Sequence, residues 1–350
     1  MRYVVIGAGA VGGTIAGRLA RQGADVVAVA RGAHLRTMQR EGLRLRTPDF
    51  DERVRVTAVG GPQEIELRSD DVLILATKTH QADAALSEWA DVPVQDARDG
   101  ATAADSLPIF TALNGVASER MALRYFDRVF GVCLWLPTVH LEPGEVIARG
   151  TPNSGILHLA RYPSVVAGEA DRELLDRVAA DLRTAGFGVE RPSDVMPWKY
   201  HKLISNIENA FHAVLGPEGG GEDLIEAAQH EAREVLHKAG IAVTDDEQEA
   251  AVRRRAFRVG AIPGIPADRL GSSSWQSLAR GTGSIETDYL NGEIALIARE
   301  HGLSAPLNTA IAAYARQAAR HQRPPGHISA AELARVLPGS AVSSPGRSGP

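Results

Sequence analysis

The chain has 350 residues, 44% hydrophobic and 23% charged, with a net charge of −5 at neutral pH. That length suits two domains with ordinary cores, and its scattered basic residues make no electrostatic footprint for nucleic acid. One cysteine, Cys133, allows neither an intrachain disulfide nor a cysteine metal cluster, so a reducing cytoplasm is the expected setting; no signal sequence or membrane-length apolar stretch is seen.

The first half alternates short apolar runs with helical patterns, which predicts parallel βαβ units. The runs are Tyr3–Ile6, Val26–Val29, Val72–Ala76, Ile109–Leu113 and Val129–Leu136. Runs so short and continuous suit strands buried on both faces. Val11, Ile15 and Leu19, at i, i+4 and i+8, give the helix after the first run a buried stripe. Residues 92–106 read as a polar loop. From Val132 to Leu159 the pattern is β-like, with a turn at Pro143-Gly144. A helix over 171–185 and a closing strand over Gly186–Glu190 follow. After Pro192 the β runs vanish, and helical periodicity covers 196–216, 222–240, 244–258, 274–280 and 284–302. Gly260–Gly271, with Pro263-Gly264 and Pro266, reads as a loop between helices. The expected organisation is an α/β fold: an N-terminal parallel-sheet domain (1–192), a mainly α-helical C-terminal domain (193–337) and a disordered tail (338–350) rich in Ser, Gly and Pro.

Tyr3 to Gly13 read YVVIGAGAVGG. Here Gly7-x-Gly9-x-x-Gly12 follows a strand and opens a helix. Gly7 permits the tight turn, Gly9 lets the backbone approach a pyrophosphate, and Gly12 lets helix and strand pack closely. With further βα units behind it, the loop (Gly7, Ala8, Gly9, Ala10, Val11, Gly12) predicts a Rossmann-type, dinucleotide-binding domain. The end of the second strand bears on the cofactor. An acid there would bond the ribose 2′-OH of NAD. This chain has Ala30-Arg31 instead, and no acid between Asp25 and Glu41. Arg31 can pair with a 2′-phosphate, which points to NADP; otherwise it is a solvated residue at a helix start.

Eight segments in this order resemble the ketopantoate reductases (2-dehydropantoate 2-reductases): GAGAVGG (7–13), VAR (29–31), TKTHQ (77–81), LNGV (113–116), LEPGEV (141–146), WKYHKLISN (198–206), SSSWQ (272–276) and IETDYLNGEI (285–294). The resemblance runs from Met1 to about residue 320. It implies a two-domain enzyme with its active site in the interdomain cleft, NADPH as hydride donor and a 2-oxo acid as acceptor. By position, Lys78 and Gln81 resemble cofactor-side residues, and Asn114 the asparagine that touches both cofactor and substrate. Lys202 is similar to the catalytic lysine and Asn206 to its substrate-binding neighbour. Glu286 matches the acidic residue opposite the lysine, and Ser273 or Ser274 the carboxylate-binding serine.

The chemistry of these residue types agrees. Hydride addition to a ketone builds negative charge on its oxygen, which a lysine can stabilise as a cation and protonate as a general acid. Lys202, Asn206 and Asn209 stand at i, i+4 and i+7, one face of a helix. Lys199, three residues before Lys202, is a rival proton donor. Glu286, Tyr289, Leu290 and Glu293 share one helical stripe. Plainer readings stay open: Glu286 as a helix N-terminal charge, Ser272 to Ser274 as an N-cap for the helix at Trp275, and Asn114-Gly115 as a tight turn. His201, about 100° round the helix from Lys202, reads as peripheral, and His80 is a weak candidate for contact with cofactor or substrate. No His/Asp/Glu spacing suggests a metal.

Two departures lie on the substrate side. The family's lysine helix usually carries a second asparagine eight residues after the lysine; here that position is Ala210, with Asn209 one earlier and Glu208 beside it. The interval from the serines to Glu286 is one residue longer than usual. A reductase of another 2-oxo acid or an imine, or a non-catalytic NADP-binding regulator, are therefore alternatives to a ketopantoate reductase. A homodimer is left open.

Overall fold

The computed structural model describes residues 1–98, 100–216, 218–266, 271–279, 281 and 283–338. The expected tail beyond Pro338 and residues 267–270 of the Gly260–Gly271 loop lie outside the described residues. Eight strands form one sheet: β1 (Arg2–Ile6), β2 (Asp25–Val29), β3 (Thr57–Val59), β4 (Asp71–Leu75), β5 (Pro108–Thr111), β6 (Arg128–Trp135), β7 (Ile156–Tyr162) and β8 (Gly188–Glu190). Their order is β3-β2-β1-β4-β5-β6-β7-β8. Neighbours run parallel except β6 and β7, whose antiparallel register pairs Cys133 with His158. The first six strands follow the doubly wound order 3-2-1-4-5-6, so the strand order reverses between β1 and β4, the point at whose carboxyl ends such sheets bind ligands.

The continuous apolar runs have a simple cause. Alternate residues of each strand point to opposite faces, and both faces are covered. Tyr3, Val5, Val72 and Ile74 pack in one core with Ile15 and Leu19 of α1 (Ala10–Arg21). Val4, Ile6, Leu73 and Leu75 pack in the other with Leu86 and Trp89 of α3 (Thr79–Ala90). Between these helices in sequence lies α2 (Gly32–Glu41); α4 (Ser118–Ala122) follows β5, and α5 (Glu169–Thr184) links β7 to β8. A smaller sheet, ordered 138–139, 145–148, 43–46, 51–54, lends Leu43, Leu45 and Val146 to the first core.

Residues 92–106 are more than a polar loop. Val94–Gln95 pairs with Leu67–Arg68. Ala103–Ser106 forms one helical turn closed by a Thr102/Asp105 capping box, and Ala101 and Ala103 are buried. Small apolar anchors inside a polar stretch leave no periodicity to read.

The later helices are α6 (Met196–Asn206), α7 (Glu208–Leu215), α8 (Glu222–Lys238), α9 (Asp246–Ala256), α10 (Ser273–Ala279), α11 (Asn291–Glu300), α12 (Pro306–Arg320) and α13 (Ala330–Val336). Three expectations are corrected here. The single helix over 196–216 is interrupted at Ile207, which keeps helical dihedrals of −56° and −37° while its N–H bonds Ile204 O at 3.3 Å. Beside the interruption, Asn291 Nδ2 donates to Ile207 O at 3.3 Å and to Asn308 Oδ1 at 3.1 Å. The stripe from Glu286 to Glu293 is likewise not one α-helix. Residues 286–289 form a 3₁₀ turn, and Leu290, at φ −118° and ψ −91°, separates it from α11. Strands do not vanish after Pro192 either, because Phe257–Val259 pairs antiparallel with Gly150–Pro152. Three residues are too few to show an alternation, so the distant partner decides.

By compactness the chain divides into one unit of Met1–Leu203 with Ala242–Leu270, and a second of Ile204–Ile241 with the chain from Gly271 onward. The first unit runs past 192 because α6 packs onto its sheet. Val195 and Trp198 bury with Cys133 and Ala160, and Val252 of α9 joins them. Ile262 buries with Val139 and Ile147.

Candidate active site

The glycine loop is built as its spacing requires. Gly7 has φ +100°, and a Cβ there would lie 3.0 Å from the Ala76–Thr77 backbone at the end of β4. A Cβ at Gly12 would sit 2.1 Å from Gly7 O, so only glycine lets α1 start this close to β1. Gly9 differs: a Cβ there would meet nothing within 4 Å. Its open side is the approach path to the start of α1, which has no side-chain cap and no acidic residue in its first turn. A helix N-terminus in that condition favours an anion.

The other residues expected on the cofactor side follow the carboxyl ends of β2, β4 and β5. Lys78 is half-buried at the N-cap of α3, and Gln81 is exposed one turn on. Thr79 Oγ1 donates to Asn114 O at 3.4 Å, tying that helix to the loop after β5. Two polar atoms here are buried without a hydrogen-bond partner among the described residues, Thr77 Oγ1 and Asn114 Oδ1. Such orphans are costly unless a ligand completes them, so these residues fit a bound dinucleotide. Arg31 stands at the N-cap of α2 with its side chain 79% exposed, and its guanidinium meets Glu88 of α3 at 3.3 Å. The sequence shows no acid beside Arg31. The fold brings one from 57 residues away.

The two candidate lysines occupy different surroundings. Lys199 is buried, in an ion pair with Glu119 of α4, and it donates to Leu113 O at 3.3 Å. Glu119 also accepts from Thr111 Oγ1 at 2.7 Å and Ser118 Oγ at 3.2 Å. The Lys199 charge is thus consumed beneath the Asn114 loop. Lys202 is half-buried, with its ammonium 4.0 Å from the centre of the Trp135 ring. The Arg253 guanidinium of α9 lies 4.6 Å from the same centre. Neither Trp135 nor Glu119 was marked out by the sequence. Glu119, five residues after Asn114 and flanked by Ser118 and Arg120, offered no local signal of its buried role.

α6 is anchored firmly. Trp198 stacks on His158 of β7 at 4.1 Å and 25°. A Cβ on Gly131 would come within 2.6 Å of Val195, so glycine in β6 sets the closeness of approach. Burial pushes the His158 pKa down to about 4. His201 points elsewhere, with Nδ1 3.0 Å from Thr244 O and Nε2 3.6 Å from Glu249. His80 is exposed in the first turn of α3.

The remaining candidates belong to the second unit. Asn206 and Asn209 are buried, one on each side of the Ile207 interruption. Glu286 is buried in its 3₁₀ turn. The serines divide by role. Ser272 Oγ accepts from Trp275 N at 3.3 Å, which is the capping bond. Ser274 is buried, and its Oγ has no partner among the described residues. The Ser273 side chain lies outside the described residues.

A doubly wound sheet with a glycine loop between its first strand and helix defines a Rossmann-type fold. Sequence comparison carries this further. The profile of "Ketopantoate reductase PanE/ApbA" matches residues 3–163, and that of its C-terminal part matches 194–319. The chain belongs to the ketopantoate reductase family, and so to the oxidoreductases that act on CH–OH groups. A 2-dehydropantoate 2-reductase of Pyrococcus horikoshii is 26% identical over 319 residues, covering 88% of this chain and 94% of its own. One from Mesorhizobium japonicum is 31% identical over 237 residues, covering 62% and 68%. The solved PanE/ApbA family ketopantoate reductase of Ralstonia eutropha superposes with a TM-score of 0.71 at 27% identity, over 92% of this chain and all of that one. D-mandelate dehydrogenase, solved with NADH and anilino(oxo)acetate, shares the fold at a TM-score of 0.74 and 18% identity, covering 92% and 99%.

Proposed function

We propose that the chain is an NADPH-dependent reductase of a 2-oxo acid, with 2-dehydropantoate (ketopantoate), reduced to pantoate, as the leading substrate. The observation that carries this reading is the ordered pair of family matches, the first containing the glycine loop and the second the lysine helix. NADPH, when bound, supplies the hydride. Domain roles follow: residues 1–192 hold the dinucleotide, and 193–337 supply most of the substrate and proton chemistry. The backbone of Gly7 to Gly12 and the start of α1 hold the pyrophosphate, and Arg31 exchanges Glu88 for the 2′-phosphate. Lys78 and Gln81 flank the cofactor, and Asn114 offers its unmatched Oδ1 beside the reacting groups.

Lys202 holds the proton for the substrate carbonyl oxygen at Nζ and stabilises the charge that develops there. Lys199 is unsuited to that task, since its ammonium is committed to Glu119 and Leu113 O. Asn206, Asn209 and Ser274 are the groups for the substrate carboxylate and hydroxyl, and Glu286 is the catalytic carboxylate by its place in the family pattern. A lone, buried Cys133 suits a reducing cytoplasm.

Reduction of another 2-oxo acid or an imine is the second reading. It is favoured by Ala210, where the family helix usually has asparagine, and by the Trp135 indole beside the Lys202 ammonium. Steady-state kinetics across a panel of 2-oxo acids, ketopantoate included, with NADPH and NADH, decide between them. Ketopantoate should give the highest kcat/KM, and NADPH should exceed NADH by at least about tenfold, as a charge-assisted phosphate contact implies. A different best acid selects the second reading, and a cofactor ratio near one removes the NADP assignment. NADPH binding without turnover of any acid leaves a regulator. Glu88→Gln frees Arg31 and should raise the NADPH preference by no more than about fivefold, because exposed pairs are worth ~1 kcal/mol or less.

A further inference from the structure

We infer that His34 is a positioning residue for the dinucleotide: its imidazole clamps the glycine loop to the Pro143-Gly144 turn and aims a loop N–H at the phosphates. The inference rests on the reading that the glycine loop holds a dinucleotide.

His34 lies in the first turn of α2, half-buried, three residues after Arg31. Gly144 N is 2.7 Å from Nδ1, and Nε2 is 2.8 Å from Ala8 O. A backbone N–H can only donate, so Nδ1 is the acceptor. A carbonyl oxygen can only accept, so Nε2 carries the proton. Both ring nitrogens are therefore used, in one tautomer of the neutral ring.

Ala8 is the second residue of the loop. Its N–H bonds Val29 O at 2.8 Å, beside the Gly7 N–H bond to the same oxygen at 3.2 Å. With Ala8 O held by His34, the peptide from Ala8 to Gly9 is fixed in plane. In a trans peptide the carbonyl and the next N–H point in opposite directions. Holding Ala8 O therefore sets the direction of the Gly9 N–H, at the residue whose side is open. The other end of the clamp is as close. Gly144 has φ +77°, and a Cβ there would meet Thr37 Cγ2 of α2 at 2.2 Å. The turn is thus seated on the helix face that carries His34.

The arrangement has a pH consequence. Burial holds the His34 pKa below its ordinary value. A proton on Nδ1 would face the Gly144 N–H and break that bond. The clamp is intact where the ring is neutral and is lost as pH falls through its lowered pKa. The titratable and charged groups near it are His140, whose ring centre is 4.3 Å away, Arg31 on the same helix, and Glu145. The Glu145 carboxylate is shared by Arg44 at 3.1 Å and Arg46 at 3.7 Å.

NADPH binding to the full chain, followed by cofactor fluorescence from pH 7.5 to 5.5, tests the clamp with His34→Leu and His34→Gln. Leucine removes both bonds; glutamine keeps one donor and one acceptor and does not titrate. His34→Leu should weaken NADPH binding by about tenfold, the worth of two neutral hydrogen bonds, with a rise in the KM for NADPH that far exceeds any fall in kcat. His34→Gln should stay within about threefold of the natural chain at pH 7.5 and weaken less than the natural chain as pH falls. Natural affinity in His34→Leu overturns the inference, as does an acid dependence in His34→Gln equal to that of the natural chain. The glutamine profile decides alone if thermal melting shows the leucine variant unfolded. A natural chain that binds neither NADPH nor NADH overturns the underlying reading instead.

Discussion

The glycine loop and the lysine helix make their sites in opposite ways. At residues 7–13 the proposed working groups are backbone N–H groups, and the side chains matter mainly by being absent. On α6 the proposed working group is a side chain, Lys202, and the helix is tied to partners distant in sequence: Lys199 to Glu119, Lys202 to Trp135 and Trp198 to His158. A backbone site is specified by a local pattern of glycines. A side-chain site is specified by what the fold sets beside it.

The largest effect that would sharpen this contrast is at Lys202. Lys202→Ala should lower kcat by roughly 10²–10⁴-fold, the usual worth of general acid catalysis, while NADPH still binds in a fluorescence titration. Near-natural turnover would remove the assignment. Lys199→Met tests the buried pair. It strands the Glu119 carboxylate, so the melting midpoint in denaturant should report a loss of about 3–5 kcal/mol. A stability change below ~1 kcal/mol would mean that the pair is not buried as described.

Two glycine substitutions probe the other side of the comparison. Gly12→Ala drives a methyl group toward Gly7 O and should cost about 1–3 kcal/mol of stability. Gly9→Ala has open space and φ −71°, so its thermal midpoint should hardly move, whereas NADPH affinity should fall at least several-fold. The reverse pattern would break the claim that Gly12 serves packing and Gly9 serves the ligand.

The last expected effect is in the acid range. Burial lowers the His158 pKa from 6.5 to about 4, so the unfolded chain binds that proton more readily. The stability contributed by the neutral ring is complete above about pH 6.5 and shrinks as pH falls toward 4. Between pH 7 and 5 the loss should be roughly 2 kcal/mol. Replacing His158 with Phe keeps an aromatic ring against Trp198 and should flatten that part of the melting-temperature profile. An equal slope in both proteins would contradict the buried, neutral ring.

Much of this molecule is legible in its sequence. Five apolar runs and a glycine pattern specify a parallel sheet with a phosphate loop, because burial on both faces and close backbone approach leave local marks. The resemblance to the ketopantoate reductases likewise needs only short segments in order. The bond from Asn291 to Ile207 O, across 84 residues, carries no such mark. Glu88 beside Arg31, the strand at Phe257–Val259 and the tethering of Lys199 all arise from contacts between segments far apart along the chain. The sequence by itself determined the kind of fold, the glycine cradle and the residues worth testing. Only the tertiary structure decided which of two lysines is spent on an ion pair and which serine caps a helix. Local patterns record burial and backbone conformation, whereas the state of a charged or polar side chain depends on the neighbour that folding brings to it.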